Sequence, residues 1–255
     1  MIDLKLIRPD WPAPLQVNSL VTTRHGGVSE SPYASLNLGE HVGDLTQAVE
    51  ANRSILRASL PSDPLWLKQV HGTNVSTPDN RTILSTQGIE ADAAVTNIPN
   101  EVLVILTADC LPVFFSNQAG DVVGIAHAGW RGLCAGILEN TVGELLHLCP
   151  NLAPNQLLAW LGPAIGPESF EVGEDVYGAF TDAGIAFPHN AFIPISDRPG
   201  KYHANLYLLA KSRLESLGVE RISGGNLCTV KDQNRFFSHR RDAISGRFAS
   251  LIWFT

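Results

Sequence analysis

Residues 102–128 read VLVILTADCLPVFFSNQAGDVVGIAHA, and the architecture turns on how this stretch is cut. Val102 to Thr107 and Val122 to His127 are short β-branched runs, so both read as buried strands. Asn117-Gln118-Ala119-Gly120-Asp121 gathers turn residues between them and predicts that the two runs form a hairpin. Beyond it, Gly132 to Leu148 places Leu133, Ile137, Val142, Leu145 and Leu146 on one stripe of a single amphipathic helix.

Working outwards, Leu15 to Thr22 reads as a strand entering the turn Arg24-His25-Gly26-Gly27. Gln47 to Leu60 is helical, with Val49, Ile55, Leu56 and Leu60 near one face. Leu157 to Leu161 is a strand halted by Gly162-Pro163. Helices follow over Asp175 to Ala183 and Ala204 to Leu217, and Ala249 to Phe254 closes as a strand. Interleaved strands and helices with short antiparallel links fit an α+β fold better than a wholly parallel βαβ array. No linker, repeat or low-complexity tract interrupts residues 1–255, which predicts a single domain.

A hydrophobic fraction of 44% against 17% charged residues excludes a disordered chain. The formal charge of −7 argues against nucleic acid or an anionic membrane as partner, so an anionic substrate would need a local basic pocket. No secretory-signal pattern opens the sequence, and its longest apolar runs are too short to span a bilayer. The expectation is a soluble, cytoplasmic protein. Cys110, Cys134, Cys149 and Cys228 form no C-x-x-C pair and read as free thiols or a lone ligand.

The chemistry concentrates at strand ends. Cys110 follows the run ending at Thr107. His127 ends the next run and precedes Gly129-Trp130-Arg131-Gly132, and His71 follows Trp66-Leu67-Lys68-Gln69-Val70 with Gly72 behind it. Groups placed there face a cleft while the strands hold them rigid. One thiolate and two imidazoles suit a catalytic zinc, which lowers the pKa of its bound water to about 7. The same set also suits copper. From residues alone the trio reads equally as a metal site or as a buried thiol with two satisfied histidines. Asp109 reads as a general acid/base, as an orienter of a ligand imidazole, or as the cap of a turn.

The phrases TTRHGGVSESPYASLNLGEHVGD (22–44), WLKQVHG (66–72), TADCLPV (107–113), AHAGWRG (126–132) and LGPAIGPESFEVG (161–173) occur in this order, with RRDAISGRFASLIWF at the close. Together they resemble the YfiH family, also called the laccase-domain, multicopper polyphenol oxidase or peptidoglycan-editing-factor family. The resemblance implies a four-layer α/β/β/α sandwich with mixed sheets, like that of the cytotoxic necrotizing factor cysteine hydrolases. It implies that His71, Cys110 and His127 bind zinc and are catalytic. It also implies phosphorolysis of adenosine, inosine, guanosine and methylthioadenosine, and deamination of adenosine.

Phosphorolysis needs a phosphate pocket, for which Arg24, Lys68 and Arg131 beside glycine turns are the candidate cations. Asn37 is a candidate hydrogen-bonding partner for substrate, whereas Arg53, helix-borne, reads more readily as a solvated face. The partners implied are thus a small nucleoside and phosphate. For deamination, Asp109 beside an activated water would serve, and the H-x-E/P-C-x-x-C deaminase signature is absent. The oxidase name implies a copper cluster held by repeated H-x-H pairs, but the eight histidines here form no such pair. Copper-dependent polyphenol oxidation therefore ranks as an alternative. A second alternative is a hydrolase editing peptidoglycan precursors, with Cys110 as nucleophile and His71 or His127 as base. A third is a non-catalytic redox protein sensing through Cys149.

Overall fold

The computed structural model describes residues 4–84, 89–184 and 186–255. It is a mixed α+β chain built on two large sheets. Leu6–Ile7, Val17–Thr22, Phe248–Phe254 and Leu103–Thr107 lie side by side in that order, every pair antiparallel. The second sheet runs Arg221–Gly224, Leu157–Leu161, Leu111–Asn117, Val123–Ala128, Ala93–Thr96, Val75–Ser76. Its two outermost pairings are parallel and the inner three antiparallel, so the sheet is mixed. Smaller sheets join Glu171–Gly173, Lys201–Ala204 and Phe192–Pro194, and pair Leu67–Lys68 with Ile89–Glu90.

Side-chain alternation sorts the core. Leu103, Ile105, Phe248 and Ile252 of the first sheet share one apolar cluster with Phe114, Val123, Ile125 and Trp160 of the second. The intervening residues Val104, Leu106, Leu251 and Trp253 cluster instead with Leu56 of the helix Thr46–Arg57. Val113, Phe115, Ala126 and Ala159 pack with residues of the helices Ile137–Leu148 and Leu206–Ser216. Strands buried on both faces explain the unbroken apolar runs. Each fully buried large side chain, Phe114 or Phe248 among them, contributes about 1.5–3 kcal/mol.

Two local readings differ from the sequence expectation. The turn at 117–121 does close a hairpin, but its first strand is Leu111–Asn117, paired with Val123–Ala128. Leu103–Thr107 belongs to the other sheet, beside Phe248–Phe254. A Leu-Pro start and a Ser-Asn end disguise the strand 111–117, because Pro112 lacks a ladder donor and is disfavoured inside sheets. Ala108, Asp109 and Cys110 therefore cross from one sheet to the other. The helix expected over 132–148 is two helices, Trp130–Ala135 and Ile137–Leu148, separated at Gly136 with φ +102°. A left-handed glycine ends one helix and redirects the next. The remaining strands and helices fall within a few residues of expectation. Among the described residues no helix is long and apolar enough to cross a membrane.

Candidate metal-binding active site

His71 follows the short strand Leu67–Lys68, Cys110 ends the crossing between sheets, and His127 lies in Val123–Ala128. Their ligand atoms lie within 4.8 Å of one another, a cluster able to hold a metal ion. Cys110 Sγ is 3.9 Å from His71 Nε2, and the two imidazoles meet edge to face at 4.8 Å between centroids. His71 is exposed, Cys110 half-buried and His127 buried, so the cluster opens to solvent on one side only.

One residue that the sequence reading passed over organises both histidines. Asp92 is fully buried, and its Oδ1 accepts from the His127 Nδ1 at 2.8 Å and the His71 backbone N–H at 2.9 Å. Its Oδ2 accepts from the N–H groups of Gly72 at 2.7 Å and Val70 at 3.2 Å. The His127 N–H in turn donates to the Asp92 carbonyl at 2.7 Å. These contacts hold His71 at φ +62°, a region that costs a non-glycine residue about 1–3 kcal/mol. They also keep a proton of His127 on Nδ1, so that Nε2 is the nitrogen a metal would displace the second proton from, the orientation carboxylate–histidine–metal sites use. The available signal was a lone acid opening the buried run Asp92-Ala93-Ala94-Val95.

Glycines set the approach of the segments. A methyl on Gly129 would lie 3.0 Å from Cys110 Sγ and 3.3 Å from His71 Cδ2, and one on Gly132 would lie 3.0 Å from the Gly72 carbonyl. The AHAGWRG phrase therefore packs its backbone against the other two candidate ligands, which a larger residue would push apart.

Protonation follows from this packing. Burial alone would raise the Cys110 thiol, but the charge and hydrogen bond of His127, then of His71, outweigh it and bring it down to about 6. Burial opposes charge on His127 too, yet the Cys110 sulfur and Asp92 raise it to about 9. Burial works to raise the Asp92 carboxyl, but His127 and the backbone donors prevail and hold it below its ordinary value. The pair thus favours thiolate and imidazolium.

A cavity of about 200 Å³ opens beside the cluster, walled by Trp130, Ile165, Phe170 and Leu206 with Arg131, His239 and Arg240 at its polar edge. Arg240 stacks over Phe170, and Arg131 over Trp130. Asp109 also lines it, at φ +95°. Its Oδ1 accepts from Thr229 Oγ1 at 2.6 Å, and its Oδ2 from Ser238 Oγ at 3.0 Å and the Arg240 N–H at 2.6 Å.

Of the candidate cations, only Arg131 stands at this cavity. Arg24 donates to the carbonyls of Ala34 and Gln233 and lines a separate cavity with Arg241 and Asn234. Lys68 pairs with Glu90 on the surface. Asn37 is buried, donating to Asp44 and the Gly39 carbonyl and accepting from the N–H groups of Gly39 and Arg247. Arg53 pairs with Glu40 and stacks over Trp66. His239, Arg240 and Phe170 were not singled out from sequence, because only the fold brings 165–170 and 239–240 to Cys110.

By class, this is an α+β chain whose strand ends gather one thiol and two imidazoles able to hold a single metal ion. Residues 18–255 match the family described as multi-copper polyphenol oxidoreductase laccase, and the chain belongs to this family, which includes the YfiH proteins. The purine nucleoside phosphorylase YfiH of Escherichia coli K12 is 51% identical over 251 residues, covering 98% of both chains. A purine nucleoside phosphorylase of Haemophilus influenzae is 46% identical over 257 residues, covering 98% of this chain and all of that one (100%). Among solved structures, a DUF152 protein of Neisseria meningitidis superposes with a TM-score of 0.88 at 44% identity, covering 98% of each chain. YfiH of Bacillus licheniformis superposes at 0.85 with 31% identity, covering 94% of this chain and 93% of that one.

Proposed function

We propose that the protein is a purine nucleoside phosphorylase with an adenosine deaminase activity at the same centre. Its substrates would be adenosine, inosine, guanosine and methylthioadenosine. The observation that carries this reading is the cavity itself: an apolar slot bounded by Trp130 and Phe170, edged by Arg131, His239 and Arg240, directly beside His71 and Cys110. Arg131, His239 and Arg240 supply hydrogen-bond donors along the edge of that slot, where they would meet the base as it leaves. The names of the relatives point the same way.

His71, Cys110 and His127 would hold the metal, with Asp92 fixing the two imidazoles. The donor set fits zinc, and thiolate with imidazole also suits copper. When bound, the ion supplies Lewis acidity at the mouth of the slot. Trp130, Ile165, Phe170 and Leu206 would sandwich the base and exclude water. In phosphorolysis a phosphate oxygen bonds to the anomeric carbon as the bond to the base nitrogen breaks, and its electron pair leaves on the base. His239 and Arg131 stand where they can donate to that leaving group. Asp109, with three donors already on its carboxylate, is assigned to holding the 229–240 segment rather than to moving protons. Arg24, Lys68 and Asn37 receive no direct contact with substrate.

We also read the three apolar clusters as the seams of a four-layer α/β/β/α sandwich, and place the protein in the cytoplasm. Purified, metal-quantified protein incubated with adenosine, with and without phosphate, tests the activity by chromatography. Adenine appearing only with phosphate supports phosphorolysis; inosine and ammonia without phosphate support deamination; neither product overturns both.

A second reading has its own support. Cys110 with a lowered thiol, His127 and Asp92 reproduce the nucleophile, base and orienter of a cysteine hydrolase. Rapid alkylation of Cys110 in metal-replete protein would favour that reading over a ligand sulfur.

A further inference from the structure

Two family-like phrases, SLNLGEHVGD and SGRFAS, take no part in the site described so far, yet they converge on one side chain. Arg247 precedes the strand Phe248–Phe254. Its N–H donates to Asn37 Oδ1 at 2.9 Å, and its carbonyl accepts from the Leu38 N–H at 3.0 Å. Its aliphatic stem lies on Gly39, where a methyl would come 2.8 Å from the Arg247 Cγ. Nη1 donates to the Ser245 and Gly246 carbonyls at 2.8 and 3.0 Å and to Ser245 Oγ at 3.3 Å.

The other edge of the guanidinium is unused. Nε and Nη2 have no hydrogen-bond partner, and no carboxylate forms an ion pair with Arg247 among the described residues. Burial works against its charge, and the groups that favour it are Cys110, Asp109 and Tyr33. Asp109 already accepts from three donors. The cation is thus held by neutral oxygens on one edge and presents its other edge to solvent-accessible space. That geometry accepts an oxyanion through two parallel hydrogen bonds. His41, exposed in the turn Glu40–Val42 just beyond Gly39, feels the charge of both Arg247 and His71 and makes no hydrogen bond among the described residues. Neither residue lines the cavity of Trp130 and Phe170.

We propose that Arg247, with His41 beside it, is a phosphate subsite flanking Cys110 and His71, separate from the slot between Trp130 and Phe170. It rests on the phosphorylase reading and assigns phosphate and base to different walls of one centre. Asn37 and Gly39 then serve the subsite by shaping the cradle for the Arg247 stem.

The test is steady-state kinetics of the metal-loaded enzyme together with equilibrium binding of inorganic phosphate alone, on wild type, Arg247→Met and Arg247→Lys. Arg247→Met should raise the KM for phosphate at least roughly tenfold, the worth of a charge-assisted hydrogen bond, with the KM for nucleoside unchanged. Arg247→Lys keeps the stem on Gly39 and the charge, and should fall between; it reads the subsite if the methionine variant fails to fold. Phosphorolysis with an unchanged phosphate KM in both variants overturns the subsite and leaves the phosphorylase reading standing. If wild type phosphorolyses nothing, that reading fails, and phosphate binding decides alone. Binding lost in Arg247→Met supports the subsite, and no binding by wild type overturns it. A 5′-nucleotide that binds through Arg247 where inorganic phosphate does not also overturns the free-phosphate assignment.

Discussion

Two buried aspartates serve the cluster around Cys110 and do different work. Asp92 accepts three backbone N–H groups and the His127 imidazole, so its contacts run straight to two of the three candidate ligands. Asp109, next to Cys110 in sequence, accepts two hydroxyls and one N–H from residues 229–240. The neighbour in sequence binds the scaffold, and the residue 18 positions away binds the candidate ligands. A carboxylate's role follows from the donors around it, because a buried acid is stable only where those donors are.

Breaking Asp92 should have the largest effect. Asp92→Ala leaves an imidazolium and three N–H groups without their acceptor, a loss of about 3–5 kcal/mol of stability. Asp92→Asn keeps the shape but cannot accept from all four donors, and metal affinity should fall roughly 10–100-fold. Competition with a chromophoric chelator reads the affinity and thermal melting the stability. Wild-type affinity in Asp92→Asn would remove Asp92 from the site.

Asp109→Asn should cost less, about 1–3 kcal/mol from weakened hydrogen bonds, with metal affinity unchanged. Because Arg240 and His239 ride on the segment Asp109 holds, the KM for nucleoside should rise more than kcat falls. The opposite split, with kcat abolished in a stable, metal-loaded protein, would restore the proton-transfer role that adjacency to Cys110 suggested.

The contrast also marks what was legible. Cys110, His71 and His127 stood out as polar residues ending apolar runs, but that pattern alone left a metal site level with a buried thiol and two satisfied histidines. The resemblance of the phrases around them tipped it, and the α+β class followed from interleaved periodicities. The hairpin was misassigned because Pro112 and Ser116 broke the strand signal of a segment whose partners are fixed by the sheet, not by its own residues. Arg247 and Arg240 were hidden for a related reason. Arg240 meets Ser169 and Glu171 about 70 residues away and Asp109 131 residues away, and no local pattern records that Asn37 meets Arg247 or that Asp109 meets Ser238.

A smaller effect tests the electrostatics of the cluster. In metal-stripped protein, alkylation of Cys110 by iodoacetamide, followed by peptide mass mapping, should be half-maximal near pH 6. An ordinary thiol titrates near about 8.5, so Cys110 should react roughly tenfold faster at pH 7 than an unperturbed thiol such as free cysteine. Zinc loading should suppress the reaction. A midpoint above about 8 would mean that His127 does not carry the proton that the contact with Asp92 favours.

The smallest effect separates Asp92 from every other acid in the chain. Its folded value lies below its ordinary one, so the stability it contributes is present above about pH 4 and is lost as pH falls through the folded value. Many carboxylates titrate in that window, so wild type alone does not isolate the term. The difference in unfolding free energy between wild type and Asp92→Asn, both metal-stripped, does isolate it. That difference should be flat between about pH 5 and 7 and shrink on further acidification, because only the wild type loses an ionised acceptor. A difference that stays constant into strong acid would mean that Asp92 orders the His71 turn through shape alone, without the charge that holds His127 protonated.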